Sequence, residues 1–296
     1  MIGFENVRKE YPGGTLAVED FTLEIASHEA IALVGTSGSG KTTLMRMVNR
    51  MVDPTAGRVT IDGEDVAAMD PVALRRSIGY VMQASGLLPH RTVLDNITTV
   101  PVLRGTSKTA ARERARELMH IVGLDPALAT RYPAQLSGGQ QQRVGGARGL
   151  AADPNILLMD EPFGAVDPIV RDELQGELQR LQRELRKTIV FVTHDIDEAF
   201  RIGDRVVILR PGGRIAQVGT PQEILAAPAD DFVASFVGAD RGARTLHIER
   251  IDGRDVIVDA DGRAAGVLSA APACGGADED RADGTSASTA GQEPPR

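Results

Sequence analysis

The chain contains little cysteine, few aromatic residues and little lysine. Its 296 residues include one cysteine, Cys274, no tryptophan and three tyrosines. A single cysteine excludes an internal disulfide and fits a reducing compartment. Lysine makes up only four of the 33 basic residues. Under this bias toward arginine, a lysine kept at a key position suggests that arginine would not serve there. The four lysines are Lys9, Lys41, Lys108 and Lys187.

Long apolar runs and an excess of basic charge are also missing. No window approaches the roughly 18 consecutive apolar residues of a membrane span. The opening MIGFENVRKEY lacks the basic segment and apolar stretch of a signal peptide. A formal net charge of -8 argues against nucleic-acid binding through bulk electrostatics. We therefore expect a cytosolic protein that binds no nucleic acid and reaches a membrane only through a partner.

What the sequence does contain is an alternation of apolar strands and amphipathic helices. This order predicts an α/β fold with a mostly parallel sheet and helices on both faces. Helices are expected at about 43–51, 110–122 and 168–186, and a helical subdomain is expected at about 87–153, where strand patterns stop. The expected strands are 2–8, 21–25, Ala30–Gly35, Ile156–Asp160, Thr188–Thr193 and Arg205–Arg210.

The pattern weakens after residue 240, which marks the expected end of the main domain. A short extension at 241–270 contains DVIVDADGRAAGVLS, whose alternation is compatible with a hairpin. Residues 271–296 are small, acidic and rich in Pro and Gly, which predicts a disordered tail.

A glycine-rich segment, GTSGSGKT, lies between a predicted strand and a predicted helix. It fits G-x-x-x-x-G-K-[ST], whose backbone N–H groups turn inward on phosphate oxygens. In this motif Lys41 reaches the outer phosphates and the Thr42 hydroxyl can ligate Mg²⁺. A purely structural glycine turn is the competing interpretation, and the strand–loop–helix context disfavours it.

Two further strand ends carry polar groups that would meet at one sheet edge. Asp160 and Glu161 follow ILLM, where Asp160 could hold Mg²⁺ through water and Glu161 could orient or deprotonate an attacking water. Without the phosphate loop this pair would be weak evidence. His194 ends the TIVFVT strand; a lone histidine is usually structural, but its position at the same edge favours contact with a γ-phosphate. The other four histidines show no metal-ligand spacing.

A second glycine motif, LSGGQQQR at 136–143, resembles a helix N-terminus prepared for an anion but has no lysine. With the motifs above it makes the chain, over about residues 1–240, similar to ABC transporter ATP-binding subunits. The resemblance implies a P-loop NTPase (RecA-like) core with an N-terminal antiparallel β subdomain and an inserted α-helical subdomain. It also implies two subunits packed head to tail around ATP and Mg²⁺, each LSGGQ completing the other subunit's site.

The same resemblance assigns roles to individual residues. It implies that Tyr11 stacks on adenine with Val18 flanking, that Gln83 senses Mg²⁺ and water, and that Asp160 joins Thr42 and Gln83 at the metal. Glu161 is then the catalytic glutamate, His194 the switch histidine and Asp167 the D-loop aspartate. The phosphate-binding residues are Gly35, Thr36, Ser37, Gly38, Ser39, Gly40, Lys41, Thr42 and Thr43, with Ser137, Gly138, Gly139 and Gln140 contributed by the second subunit.

A narrower resemblance is to subunits that energise uptake of quaternary ammonium osmoprotectants. It rests on GLLPHRTVLDNI, DEPFGAVDPIVR, THDIDEAF and FVGADR, and it implies permease subunits, contacted near 87–96, and an extracytoplasmic substrate-binding protein. Quaternary ammonium cages are built from aromatic faces, and this chain has no Trp and only three Tyr, so we expect other subunits to recognise the solute. Alternatives are an importer of another solute and a soluble ABC switch protein, although the long coiled-coil insertion or second cassette usual in the latter is missing. A GTPase is disfavoured because no N-K-x-D motif is present.

Two features depart from that subfamily's pattern. Many members carry a tandem pair of CBS domains, of which only 255–269 resembles a part. The second feature is VGGARGL at 144–150, where Gly145, Gly146 and Gly149 fall inside a predicted helix. Glycine in a helix interior costs about 0.5–1 kcal/mol relative to alanine, so the three together would weaken the helix by roughly 1.5–3 kcal/mol. Either close packing compensates or the helix is unusually mobile.

Overall fold

The computed structural model describes residues 1–83, 85–164, 171–172, 175–176, 178–180, 182, 186–238, 247–251, 254–258 and 264–267. The chain forms two compact units, Met1–Arg241 and Gly242–Arg296. Asp167, most of the predicted helix at 168–186 and the predicted tail at 271–296 lie outside the described residues.

The secondary structure of the described residues is mixed. The strands are β1 (Ile2–Tyr11), β2 (Thr15–Ile25), β3 (Ala30–Gly35), β4 (Ala56–Ile61), β5 (Glu64–Asp65), β6 (Ile78–Val81), β7 (Ile156–Asp160), β8 (Thr188–Thr193), β9 (Arg205–Arg210), β10 (Arg214–Gly219), β11 (His247–Ile251), β12 (Arg254–Val258) and β13 (Ala264–Val267). The α-helices are α1 (Lys41–Val48), α2 (Pro71–Ser77), α3 (Val93–Ile97), α4 (Thr99–Leu103), α5 (Lys108–Ile121), α6 (Gly138–Leu150), α7 (Ile196–Ile202), α8 (Pro221–Ala226) and α9 (Asp231–Phe236). Short 3-10 helices span Pro126–Thr130 and Pro133–Gln135.

The central sheet of the first unit positions the candidate site. Its order is β10-β9-β3-β8-β7-β6, and all neighbours are parallel except β10, which runs antiparallel to β9. Strands β3, β7 and β8 are buried along their whole length, as expected for strands covered on both faces. Because parallel strands end at one edge, the segments that follow them meet there.

The hydrophobic core of the first unit has two parts, one on each face of the central sheet. Alternate residues of β3 belong to different parts. Ala32 and Val34 pack into one cluster, whereas Ile31 and Leu33 pack into the other. This alternation follows from the two-residue period of a strand, whose successive side chains point to opposite faces. The sheet is therefore buried between two apolar layers, and the predicted α/β class is confirmed.

An antiparallel sheet and a helical segment complete the first unit. The sheet has the order β2-β1-β4-β5, with the rings of Phe4 and Phe21 edge to face at 5.1 Å. Between 87 and 153 the described residues form helices and no strand, as the sequence predicts. Helix α5 is followed by Gly123 at φ 65°, whose N–H donates to His120 O at 3.1 Å, and this left-handed glycine ends the helix.

The predicted bounds of α1 were wrong at both ends. The helix begins at Lys41, within the glycine motif, and ends at Val48. Arg50 adopts a left-handed φ of 54°, and the N–H groups of Met51 and Val52 both donate to Arg46 O. This turn directs Met51, the last residue of the predicted helix, into solvent, where it is 56% exposed.

The second unit contains a three-stranded antiparallel sheet in the order β11-β12-β13. The pairing of β12 with β13 confirms the hairpin expected in DVIVDADGRAAGVLS; strand β11 was not foreseen. Across the described residues of both units, no helix combines the length and the apolar character needed to cross a bilayer.

Candidate functional site

The glycine motif forms the loop that joins β3 to α1. Gly40 has φ 83°, and a Cβ there would lie 2.5 Å from Ala17 O, so both backbone conformation and space require glycine. A Cβ on Gly35 would lie 2.5 Å from Leu209 O, which fixes the end of β3 tightly against β9. Neighbouring backbone therefore packs closely against both ends of the loop, which requires glycine there. The N–H groups of the loop lie at a helix N-terminus, where anions bind.

Lys41 lies within this loop and is buried. Its Nζ donates to Gly35 O at 2.7 Å, to Thr36 O at 3.0 Å and to Ser39 Oγ at 3.4 Å. Burial lowers the pKa of the ammonium, and the carboxylates of Glu161 and Asp160 oppose that shift. A cleft of about 390 Å³ lies over the loop, lined by residues 37–43 together with Glu161 and His194.

Asp160 ends β7 and is held by three neighbours on two elements, α1 and β6. Thr42 Oγ1 donates to its Oδ1 at 3.0 Å, while Tyr80 Oη donates to Oδ2 at 3.5 Å. The guanidinium of Arg46 lies 3.5 Å from the same Oδ2. The Thr42 hydroxyl and the Asp160 carboxylate are oxygen donors that suit Mg²⁺. This ion usually binds one or two protein carboxylates together with substrate phosphates, and the glycine loop lies next to this pair. Among the described residues, no group of three or more His, Cys, Asp or Glu side chains forms an all-protein metal cage.

Glu161 is the point where segments after three neighbouring strands meet. Gln83 Nε2, two residues after β6, donates to Glu161 Oε2 at 2.7 Å. His194 Nδ1, one residue after β8, lies 3.3 Å from Oε1. The Glu161 backbone has φ 44°, and its N–H donates to Val192 O at 2.9 Å. A non-glycine residue in this left-handed region is uncommon, and such conformations concentrate at functional sites.

Tyr11 and Val18 lie on the first sheet beside the loop. Tyr11 Oη is 3.5 Å from Thr43 Oγ1, and the Lys9 ammonium lies 5.1 Å from the centroid of the tyrosine ring. Val18 is buried, with its Cγ2 3.3 Å from the position that a Cβ on Gly40 would occupy. Tyr11 is half-buried, and an aromatic ring at this place can stack on a planar base.

The LSGGQ segment forms the start of α6, away from the cleft. Ser137 is the N-cap: its Oγ accepts from Gln140 N at 3.2 Å, and Gln140 Oε1 accepts from Ser137 N at 3.0 Å. This reciprocal pair is a capping box, which satisfies two N–H groups at the helix start. Residues 137–140 do not line the cleft over the loop, so the structure does not bring them to the other candidate residues of the same chain. Asp167 lies outside the described residues.

The three glycines of α6 have different surroundings. A Cβ on Gly149 would lie 3.2 Å from Val81 Cγ2, and a Cβ on Gly79 of β6 would lie 2.4 Å from Gly149 O. Close packing of helix on strand therefore accounts for Gly149. A Cβ on Gly145 would make ordinary contacts with Ser85 at 3.6–3.8 Å, and one on Gly146 would meet nothing within 4 Å. Packing does not account for those two.

Three residues near the candidate site were missed from the sequence. Tyr80 and Arg46 both contact Asp160, and Arg148 on α6 contacts the segment after Gln83. Arg46 was within reach of sequence reasoning because it lies one turn beyond Thr42 on the same helix. No local pattern distinguishes Tyr80 or Arg148 from other half-buried residues.

Comparison with known proteins gives consistent results. The family model described as ABC transporter matches residues 18–164. The choline transport ATP-binding protein OpuBA of Bacillus subtilis is 53% identical over 254 residues, and the match covers 85% of this chain and 66% of OpuBA. The glycine betaine uptake system ATP-binding protein YehX of Escherichia coli is 47% identical over 252 residues, covering 85% of this chain and 81% of YehX. This chain spans only 60–66% of the length of the Bacillus and Listeria relatives that it matches.

Solved structures extend the likeness to the fold. A dimeric, post-hydrolysis structure of the ATP-binding cassette MJ0796 bound to ADP and Pi has a TM-score of 0.69 and 35% sequence identity. The match covers 75% of this chain and 99% of that chain.

Proposed function

The chain belongs to the family of ABC transporter ATP-binding proteins, and from that premise we propose that it hydrolyses ATP to energise import of quaternary ammonium osmoprotectants through a membrane permease. The proposal of ATP hydrolysis rests on one observation: Gln83 and His194 both contact Glu161, beside the loop that suits phosphate. The transport part rests on the relatives, which include choline, glycine betaine and carnitine transport ATP-binding proteins.

In this proposal, ATP lies with adenine on Tyr11 and its phosphates along residues 35–43. Lys41 exchanges its contacts with the carbonyls of Gly35 and Thr36 for phosphate oxygens. Thr42 and Asp160, with Gln83, would hold Mg²⁺. When bound, Mg²⁺ neutralises charge that develops on the transferred phosphoryl group.

Glu161 acts as the group that orients and deprotonates the attacking water. The Gln83 amide fixes one carboxylate oxygen, and the His194 ring lies against the other. Two neighbours restrict the carboxylate to one orientation, which reduces the entropy lost on reaching the reactive geometry. His194 remains largely exposed, with a side-chain accessibility of 65%, so its ring can turn toward a γ-phosphate.

The second half of each site is supplied by another copy of the chain. Ser137, Gly138, Gly139 and Gln140 begin a helix whose N-terminus favours an anion, yet they lie away from the cleft of their own chain. A head-to-tail homodimer brings them to the phosphates bound by the other copy, and the D-loop role of Asp167 stays a prediction from the sequence. The dimeric state of the MJ0796 cassette supports this arrangement.

We assign the permease contact to residues 87–96. Bound to the permease, the protein would act at the cytoplasmic face of the cell membrane. This segment is held rigidly by one buried side chain: Asn96 accepts from Leu88 N at 2.8 Å and donates to the carbonyls of Leu88 and Arg91 at 3.1 Å. A rigid connection can transmit movement to a partner. An extracytoplasmic binding protein recognises the solute, since this chain has no tryptophan for a cation cage.

The experiment that tests the proposal combines hydrolysis and uptake. The E161Q variant should bind ATP with unchanged affinity, form a stable dimer with it, and lose at least roughly 100-fold in kcat because the base is absent. E113Q, at an exposed position of α5, is the matched control and should keep wild-type kcat. Persistent turnover by E161Q would remove Glu161 from its role.

For transport, the chain is co-expressed with candidate permeases and uptake of labelled glycine betaine, choline and carnitine is measured. Uptake that fails with E161Q and succeeds with E113Q supports the proposal. Co-purification with a permease but uptake of a different solute would change the substrate class. ATPase activity without any membrane partner in a pull-down would favour a soluble switch protein.

A further inference from the structure

Arg148, near the end of α6, binds the segment that directly follows Gln83. Its Nη2 donates to Ser85 O at 2.7 Å, and its Nη1 donates to Gly86 O at 2.7 Å. Ser85 and Gly86 have φ values of 53° and 54°, so two successive residues adopt the left-handed conformation. The planar fork of a guanidinium matches two neighbouring acceptors, which a lysine ammonium does not.

The Arg148 guanidinium is held by backbone carbonyls rather than by a counter-ion. In the ranges the structure describes, no carboxylate forms an ion pair with it. Burial lowers the pKa of this side chain. Arg148 is half-buried, and its two hydrogen bonds to carbonyls offset the desolvation of its guanidinium.

A second residue on the same face of α6 also contacts Ser85. Gln141 Oε1 accepts from Ser85 Oγ at 3.4 Å, while its Nε2 donates to Pro133 O at 3.1 Å and Leu136 O at 3.3 Å. Gly145 lies on this face too, and a Cβ there would be at ordinary contact distance from Ser85, 3.6–3.8 Å. Positions 141, 145 and 148 are separated by four and three residues, which places them on one helix face.

The contacts continue from Ser85 to Glu161. Ser85 N donates to Met82 O at 3.0 Å, which closes a turn that contains Gln83. Gln83 in turn donates to Glu161 Oε2 at 2.7 Å. Hydrogen bonds at Ser85 and at Gln83, joined through the backbone of the turn, therefore link α6 to the carboxylate of Glu161.

We propose that Arg148 is a positioning residue for hydrolysis: it fixes the Gln83 turn on α6, so that the Gln83 amide stays on Glu161. This inference rests on the proposed ATPase function. It predicts that loss of Arg148 acts through Gln83 and affects turnover more than nucleotide affinity.

The test is a double-mutant cycle on the full chain, with R148A, Q83A and the double variant. R148A should lower kcat roughly tenfold, the effect of losing a positioning hydrogen bond, with KM for ATP changed less than about threefold. In the Q83A background, R148A should have little further effect, since the group that it positions is already gone. Millimolar methylguanidinium, far below denaturing concentrations, should restore part of the activity of R148A.

The matched control is R143A, on the same helix. Arg143 Nη1 also donates to two backbone carbonyls, those of Val122 and Gly123 at 3.3 and 3.2 Å, but these follow α5. R143A should lower thermal stability comparably while keeping kcat within about twofold of wild type. Equal effects of R148A with and without Gln83, or wild-type kcat in R148A, would overturn the proposal.

A readout that needs no activity separates this inference from the proposed function. Amide hydrogen exchange of residues 80–90 should accelerate in R148A and not in R143A. If R148A does not fold, R148K serves in its place, with faster exchange at 80–90 expected because one ammonium cannot bind both carbonyls in a planar fork. If wild type fails to hydrolyse ATP, the proposed function falls, while unchanged exchange at 80–90 would remove the positioning role.

Discussion

Replacing Gly146 by alanine should stabilise the protein, although the residue lies inside the helix that carries the LSGGQ segment. A Cβ at this position meets no atom within 4 Å, and the backbone is helical. Alanine therefore recovers the propensity that glycine loses, about 0.5–1 kcal/mol. For a domain of this size, 1 kcal/mol raises Tm by roughly 2–4 °C, so the expected gain for G146A is about 1–4 °C.

Gly79 provides the opposite case on the adjoining strand. A Cβ there would lie 2.4 Å from Gly149 O, 2.7 Å from Leu157 Cδ1 and 2.9 Å from Pro154 Cγ. The first contact is with backbone, which cannot rotate away, so G79A should destabilise by at least the 1–3 kcal/mol typical of overpacking. G149A should fall between the two, because its helix-propensity gain is offset by contacts at 3.2 and 3.3 Å with two side chains.

The assay is denaturant unfolding of the full chain without nucleotide, followed by circular dichroism, with the slope m checked for constancy across variants. A loss of stability in G146A would refute the reasoning, because it would show that the space beside this residue is needed by the native packing. Equal stability of G79A and wild type would refute the close approach of β6 and α6.

Two further predictions concern the nucleotide site. K41A should weaken ATP binding by at least roughly tenfold, since a charge-assisted contact to phosphate is lost, whereas K108A, at an exposed position of α5, should bind normally; isothermal titration measures both, and full affinity in K41A would count against the loop as the phosphate site. Mixing equal amounts of inactive K41A and S137R subunits should restore about a quarter of wild-type ATPase activity: random pairing makes one half of the dimers mixed, and each mixed dimer has one intact site of two. No recovery on mixing would argue against sites shared between two copies.

The strands that the sequence predicted best are those buried on both faces. The continuous apolar runs of β3, β7, β8 and β9 were located to the residue. Strands β4 and β10 were missed because they are largely half-buried or exposed, so their hydrophobic pattern is weak. Strand β6 has only four residues, two of which are Gly79 and Tyr80, too few to establish a period.

The residues of the candidate site also fall into two groups, those that a sequence motif identifies and those that only the fold brings together. Residues within one continuous motif, such as 35–43, are local in sequence, so a pattern finds them. The contact of Tyr80 with Asp160 joins residues 80 positions apart, and it arises only because β6 pairs with β7. The Ser85–Arg148 hydrogen bond likewise spans 63 positions. Such contacts depend on how distant parts of the chain pack together, which no short sequence segment predicts.

The capping box at Ser137 restricts which residues can occupy the N-cap position of α6 under the proposed shared site. The Ser137 hydroxyl oxygen is already an acceptor for Gln140 N, but its own hydrogen is still available to a phosphate. An aspartate would cap the helix equally well, yet it has no hydrogen to give and would repel the anion. The Ser137 hydroxyl accepts on one side and can donate on the other, so one small group can serve both helix folding and phosphate recognition.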